Sequence, residues 1–165
     1  MPLKDALLPD LDRELGATRR LLERLPPDQL DWRPHEKSRS LGQLARHVAR
    51  IPRWGVLVLQ TTQSDIAEEA EGPDSAATPQ EILELFDRHA GALRGQLVQT
   101  EGDGPLLVRW TLEKEGQEVF SLPRVSALRT IAMNHLIHHR GQLTVYLRLL
   151  GVPLPPIYGP TADET

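Results

Sequence analysis

Residues 134–143 read NHLIHHRGQL. Three of the chain's six histidines, His135, His138 and His139, fall within five residues of a helix-like, largely apolar run. Such rings can face water, be satisfied in a core, or hold a metal ion, and the choice depends on the helix face each occupies. Pro123 leads into this run, which extends from Arg124 to about Leu150 and is stopped by Gly151 and Pro153. It is unrolled at about 100° per residue with His135 at zero. Leu128, Ile131, Ala132, Leu143, Tyr146, Leu149 and Leu150 then centre near about +20°. His139 falls inside that sector at about +40°, and His138 at its edge at about −60°. The apolar face thus carries two imidazoles at i and i+4, whose side chains project together.

Burying two such rings in hydrocarbon costs about 1–3 kcal/mol for each polar group left unsatisfied. Hydrogen bonds within a core or an interface relieve that cost. So does a divalent ion, which takes one nitrogen of each ring while the other nitrogen donates to an acceptor behind it. His47, at the edge of another helical stripe beside Leu44 and Ile51, supplies a third imidazole from a facing helix. Three His ligands leave a coordination position open, the arrangement of catalytic sites. His138 reads as a pocket-wall residue or a donor behind the ligands. His89, on a third stripe between Phe86 and Leu93, either lines the same cavity or is a hydrogen-bonded core histidine. His35, between Pro34 and Glu36, reads as a loop residue. Arg140 and Gln142 could supply polar groups near the site, and Arg140 could equally be a solvated surface charge.

Outward from this segment the chain reads as more helices. Leu8, Leu11, Leu15, Leu22 and Leu25 give a helix over about Asp5–Leu25, ended by Pro26-Pro27. After a loop with Trp32 and Pro34, Ser40 and Gln43 form a capping-box pattern that opens a second helix striped by Leu41, Leu44, Val48 and Ile51. Pro52 is expected to kink that helix or end its first half, because it cannot donate to the Val48 carbonyl. Residues 61–77 read as an acidic surface loop or frayed helix end. Thr78-Pro79-Gln80-Glu81 caps a third helix carrying Ile82, Phe86, Ala90, Leu93 and Leu97. Residues 106–120 suggest a short hairpin turning at Glu115-Gly116. The tail GVPLPPIYGPTADET has too much Pro and Gly for regular structure, but its Ile157 and Tyr158 suit packing on the body. The sum is an all-α fold, a four-helix bundle with a short β-hairpin before the last helix, spanning residues 1–165 as one domain.

Composition closes off several function classes. A formal charge of −4 with scattered arginines leaves no electrostatic footprint for nucleic acid. No apolar run approaches the roughly 18 residues of a membrane span, and MPLKDALLPD lacks a signal-peptide pattern. The expectation is a soluble cytoplasmic protein without nucleic-acid or membrane partners. With no cysteine, the chain has no disulfide, no thiolate ligand and no sulfur nucleophile of its own. No Glu-x-x-His, H-E-x-x-H or G-x-S-x-G pattern occurs, which disfavours di-iron bundles, zinc proteases of that type and α/β-hydrolases.

Three stretches, WRPHEKSRSLGQLARHV at 32–48, NHLIHHRGQL at 134–143 and PPIYGPTADE at 155–164, resemble the DinB-like (DinB/YfiT) helical bundles in order and spacing. The resemblance implies an up-down four-helix bundle holding nickel or zinc through His47, His135 and His139, the trio that the helical wheel also brings forward. It further implies a homodimer acting on small molecules. Characterised members of that family include transferases using low-molecular-weight thiols such as bacillithiol or mycothiol, in stress-related chemistry. Others are metal-dependent hydrolases, and a non-catalytic metal-binding bundle is a third expectation.

Overall fold

A computed structural model describes residues 1–67 and 78–163. Helix α1 spans Leu3–Leu22, α2 Leu41–Gln60 and α3 Pro79–Gln99, with a single turn α4 at Gly104–Leu107. The last helical run has three parts: α5 at Arg124–Ala127, a π-helical segment at Leu128–Asn134, and α6 at His135–Leu149. Strands β1 (Gln63–Asp65), β2 (Arg109–Lys114) and β3 (Gln117–Pro123) form one sheet in the order β1-β2-β3.

The caps work as their residue types dictate. Ser40 accepts from the Gln43 amide while the Gln43 side chain accepts from the Ser40 amide, and Thr78 and Glu81 repeat the exchange on α3. These boxes fix where α2 and α3 begin, and hence which residues they turn inward. Pro52 does not end α2, which runs unbroken to Gln60. Pro52 is itself buried, flanked by buried Ile51, Gly55 and Val58. Tertiary packing on both sides of the missing donor outweighs the lost hydrogen bond. A Cβ at Gly55 would lie 2.6 Å from a methyl of buried Leu93, so this glycine lets α2 and α3 close on each other. The core between the helices is built from residues such as Leu21, Leu44, Val48, Phe86, Leu97 and Leu143, all almost completely buried.

The hairpin forms where expected, with Glu115 and Gly116 both at positive φ, the conformation a two-residue turn demands. The third strand is new. Within the stretch read as loop, Gln63–Asp65 pairs parallel to β2, and the Asp65 carboxylate accepts from the Glu115 and Gly116 amides at 3.1 and 2.8 Å. These bonds hold the Asp65 carboxyl below the usual carboxylate range, the Gly116 amide contributing most. Residues 68–77 of that stretch lie outside the described residues. Fully buried Trp110 donates its indole N–H to the Thr61 hydroxyl at 3.0 Å, seating the sheet on the end of α2.

Arg140 is not a surface charge. It is 2% exposed, and its guanidinium pairs with the buried Glu14 carboxylate at 2.7 Å. The same guanidinium donates to the Tyr158 hydroxyl at 2.6 Å, which in turn donates to Glu14 at 2.8 Å. Tyr158 thereby ties the tail to α1 and α6. A second tie joins Arg148 to Asp163, whose carboxylate also accepts from the Leu154 amide at 3.0 Å. The tail does pack on the body, as its apolar residues suggested.

Removing one member of a buried ion pair strands the other without compensation, at a cost of about 3–5 kcal/mol. Glu14→Gln is therefore expected to lower unfolding stability by an amount in that range. Tyr158→Phe, which removes hydrogen bonds but no charge, should cost about 1 kcal/mol. Urea denaturation followed by far-UV circular dichroism measures both, and equal effects would contradict this hierarchy.

Candidate metal centre

His47 sits on the second turn of α2, placed by the cap at Ser40. His135 opens α6 and His139 follows one turn later. Their ligand nitrogens lie within 4.8 Å of one another, and all three side chains are half-buried. The ring centroids are 5.1 Å apart for His47–His135, 4.5 Å for His47–His139 and 4.8 Å for His135–His139. The three residues singled out in the sequence thus converge across the α2–α6 contact.

The ring orientations follow from their hydrogen bonds. His139 Nδ1–H donates to the Gln142 side-chain oxygen at 2.7 Å, and His135 Nδ1–H donates to the Ile131 carbonyl at 3.3 Å. Tautomers are assigned from these partners. Both rings then turn an unprotonated Nε2 toward the centre. The Ile131 carbonyl is in reach because the His135 amide bonds to Ala132 instead, a consequence of the π-to-α junction. His47 Nε2 lies 3.2 Å from His135 Nε2. Two nitrogens sharing a tetrahedral ion at about 2.0–2.1 Å each stand about 3.3 Å apart, so this pair already has ligand spacing. An all-imidazole set of this kind suits a divalent transition ion. The residues fit the group.

The face of the last helix requires a correction. The buried positions of α6 are Leu136, Arg140, Leu143 and Leu147, centred near about +110° on the wheel with His135 at zero. Leu149, expected inside the apolar sector, is 61% exposed, and Tyr146 is only half-buried. The shift of about 90° is close to the roughly 100° that one residue contributes. Its source is the π segment, whose wider turns take up an extra residue before α6 begins. His135 and His139 consequently flank the buried face on the side that meets α2, and do not lie at its middle.

The other histidines separate cleanly. His138 is exposed; its ring is 4.8 Å from that of His139, but it is not part of the three-imidazole cluster. His89 is half-buried with Nδ1–H directed at the Ala49 carbonyl, 3.2 Å away, and matches the hydrogen-bonded core reading. His35 is an exposed loop residue whose Nδ1 accepts from the Lys37 amide at 3.1 Å. Gln142 was foreseeable as a nearby polar group, being three residues from His139. Glu14 and Thr18 were missed, although both fall among the leucines of α1, where a polar residue signals a buried partner.

Three half-buried imidazoles on a helical bundle are positioned to hold a metal ion, and the chain's relatives share that bundle. The DinB family model matches residues 3–165, and the chain belongs to that family. An uncharacterized Bacillus subtilis protein, YrdA, is 32% identical over 162 residues, 97% of this chain and 90% of that one. A second uncharacterized B. subtilis protein, YjoA, is 24% identical over 144 residues, 87% of this chain and 88% of that one. The crystal structure of the DinB-like YjoA aligns with TM-score 0.71 at 20% identity, covering 93% of this chain and 97% of that one. A putative DinB-family member from Exiguobacterium sibiricum aligns with TM-score 0.67 at 23% identity, covering 94% and 97%. Among the described residues no helix is long and apolar enough to cross a membrane.

Burial, reinforced by the neighbouring imidazoles His139, His47 and His138, pushes the His135 pKa down to about 4. Burial also lowers His139 and His89. An unfolded histidine titrates near 6.5. As pH falls from about 6.5 toward 4, the unfolded chain takes up protons that folded His135 refuses, so stability present above that window is lost within it. Metal-free protein is expected to lose thermal stability steadily from pH 6.5 to pH 4, and His135→Phe to flatten the slope. A melting temperature independent of pH across that window would contradict the burial of this ring. Separately, Gln142→Leu should weaken metal affinity about 10–100-fold by releasing His139, whereas Gln142→Glu retains the acceptor and the affinity. Competition titration against a chromophoric chelator reads both.

Proposed function

We propose that this protein is a divalent-metal-dependent enzyme that transfers a low-molecular-weight thiol, of the bacillithiol or mycothiol type, to electrophilic or stress-related small molecules. The observation that carries this reading is the convergence of His47, His135 and His139 in a chain without cysteine. Three protein ligands leave room for an exogenous one, and a cysteine-free chain must take its sulfur nucleophile from solution. Nickel or zinc held there supplies a Lewis acid that favours the thiolate at neutral pH.

The remaining work belongs to the chain's own side chains. Gln142 and the Ile131 carbonyl hold two rings with Nε2 forward, so the site needs little reorganisation on loading. In this reading the incoming sulfur would enter between α2 and α6, near exposed His138. In the transfer, the sulfur lone pair forms the new bond to the electrophilic carbon, the displaced group leaves with its bonding pair, and the thiol proton passes to solvent. The same three ligands would serve a hydrolase acting through water of lowered pKa, or a binding protein without turnover. The test therefore separates all three.

Untagged protein purified in metal-replete medium is expected to carry close to one equivalent of metal by elemental analysis. His47→Ala and His135→Ala should each lose more than the about 10–100-fold in affinity that an outer partner is worth. Loss of 1-chloro-2,4-dinitrobenzene should require both metal and added thiol. Turnover with metal but without thiol would replace the transferase by the hydrolase. Metal binding with neither activity would leave the binding protein.

A further inference from the structure

Two arginines of α6, Arg140 and Arg148, hold the same stretch of tail from points about 12 Å apart along the helix axis. Beyond α6 the chain reverses at Gly151, whose φ of 72° suits glycine, and the Val152 amide donates to the Leu147 carbonyl at 3.0 Å. The returning segment closes on itself over residues 154–163. Its ends meet where the Asp163 carboxylate accepts from the Leu154 amide at 3.0 Å, and the same carboxylate accepts from both terminal nitrogens of Arg148. Its tip is Tyr158, whose hydroxyl reaches buried Arg140 and Glu14. Between them, the Pro156 carbonyl accepts from Arg20 of α1 at 3.4 Å. The loop is a hook with its base on Arg148 and its point on Arg140.

This hook grips α6 on a different side from the histidines. With His135 at zero, His139 falls at about 40°, whereas Arg140 and Arg148 fall at about 140° and 220°. One side of the helix therefore meets His47 of α2, and another is fastened to the tail. The Tyr158 residue is 66% exposed, yet its hydroxyl ends against a guanidinium that is 2% exposed. It accepts from Arg140 Nη2 at 2.6 Å and donates to Glu14 Oε2 at 2.8 Å, and its ring centroid lies 5.1 Å from the guanidinium carbon. Without that hydroxyl, a buried nitrogen and a buried oxygen each lose a partner, and entering water or a turn of α6 has to replace it. A turn disturbs the histidines directly. An imidazole about 6 Å from the axis moves about 1 Å for every 10° of rotation. That is several times the about 0.2 Å within which metal–ligand distances are held.

We infer that Tyr158 is a positioning residue for the metal centre. Its hydroxyl locks Arg140 to Glu14, and the lock holds the His135–His139 pair in register with His47. The inference rests on the metal-centre reading proposed above and extends that centre's support to the tail of the chain.

The probe is cobalt(II), titrated into the full-length protein in competition with a chromophoric chelator, with the ligand-field bands recorded at saturation. Tyr158→Phe should weaken cobalt affinity about 2–30-fold, the span that remote positions on a shared element exert on a site, and should shift the bands. Asp163→Ala, which frees the base of the hook, should act in the same direction. Thr61→Val is the control for stability alone. It takes the acceptor from the buried Trp110 indole at the far end of α2, about 21 Å from His47 along the axis, and should leave affinity and bands unchanged. Circular dichroism at the titration temperature confirms that all four proteins are folded. Wild-type affinity in Tyr158→Phe overturns the inference while leaving the metal centre standing. An equal loss in Thr61→Val does the same, since general destabilisation would then account for the effect. Wild-type protein that develops no cobalt bands sinks the metal-centre reading and this inference with it.

Discussion

A guanidinium inside a helical bundle is tolerated only where its partners are, and Arg140 imposes that condition on the whole structure. Its charge is neutralised by Glu14 of α1 and shared with the hydroxyl of Tyr158 from the tail. Satisfying both fixes the rotation of α6 about its axis, because no other setting brings the arginine to Glu14. His139 is the preceding residue, and His135 lies one turn before it. The direction in which the imidazoles face α2 is thus set by an ion pair on a neighbouring flank of the same helix. One interaction orders α1, α6, the tail and the metal centre together.

The features readable in the sequence were those governed by short-range chemistry. Capping boxes at Ser40 and Thr78 involve residues three apart, and the Glu115-Gly116 turn is local, so each declares itself in a few letters. The i, i+4 histidine pair is equally local, and His47 could join it because its helix carries a clear stripe. Other features depend on distant partners. Pro52 is a breaker by any local rule, and the packing around Ile51 and Gly55 overrides it. Gln63–Asp65 becomes a strand only because β2 offers it an edge. Arg140 looks like a surface charge until Glu14, 126 residues away in sequence, is seen beside it. The histidines' exact place on the helix was missed because periodicity assumes a constant turn, and the π segment breaks that assumption.

The site's electrostatic character is unusual for a metal centre in one respect. Carboxylates commonly stand behind metal-binding imidazoles, offsetting part of the ion's charge. Here the acceptors behind His135 and His139 are a backbone carbonyl and a carboxamide, both neutral. At these two rings the chain fixes orientation through neutral acceptors.

The π segment at Leu128–Asn134 gives the centre a numerical dependence on chain length. Its extra residue rotates everything downstream by close to a third of a turn. A relative lacking one residue between Leu128 and His135 would keep every ligand and an unbroken hydrophobic pattern. Its last run could keep the residues before the deletion packed, or bring Arg140 to Glu14 and the histidine pair to His47, but not both. Retention of three histidines in an alignment is therefore an incomplete test for this centre. The gap column within the helix that precedes them carries the other half of the information.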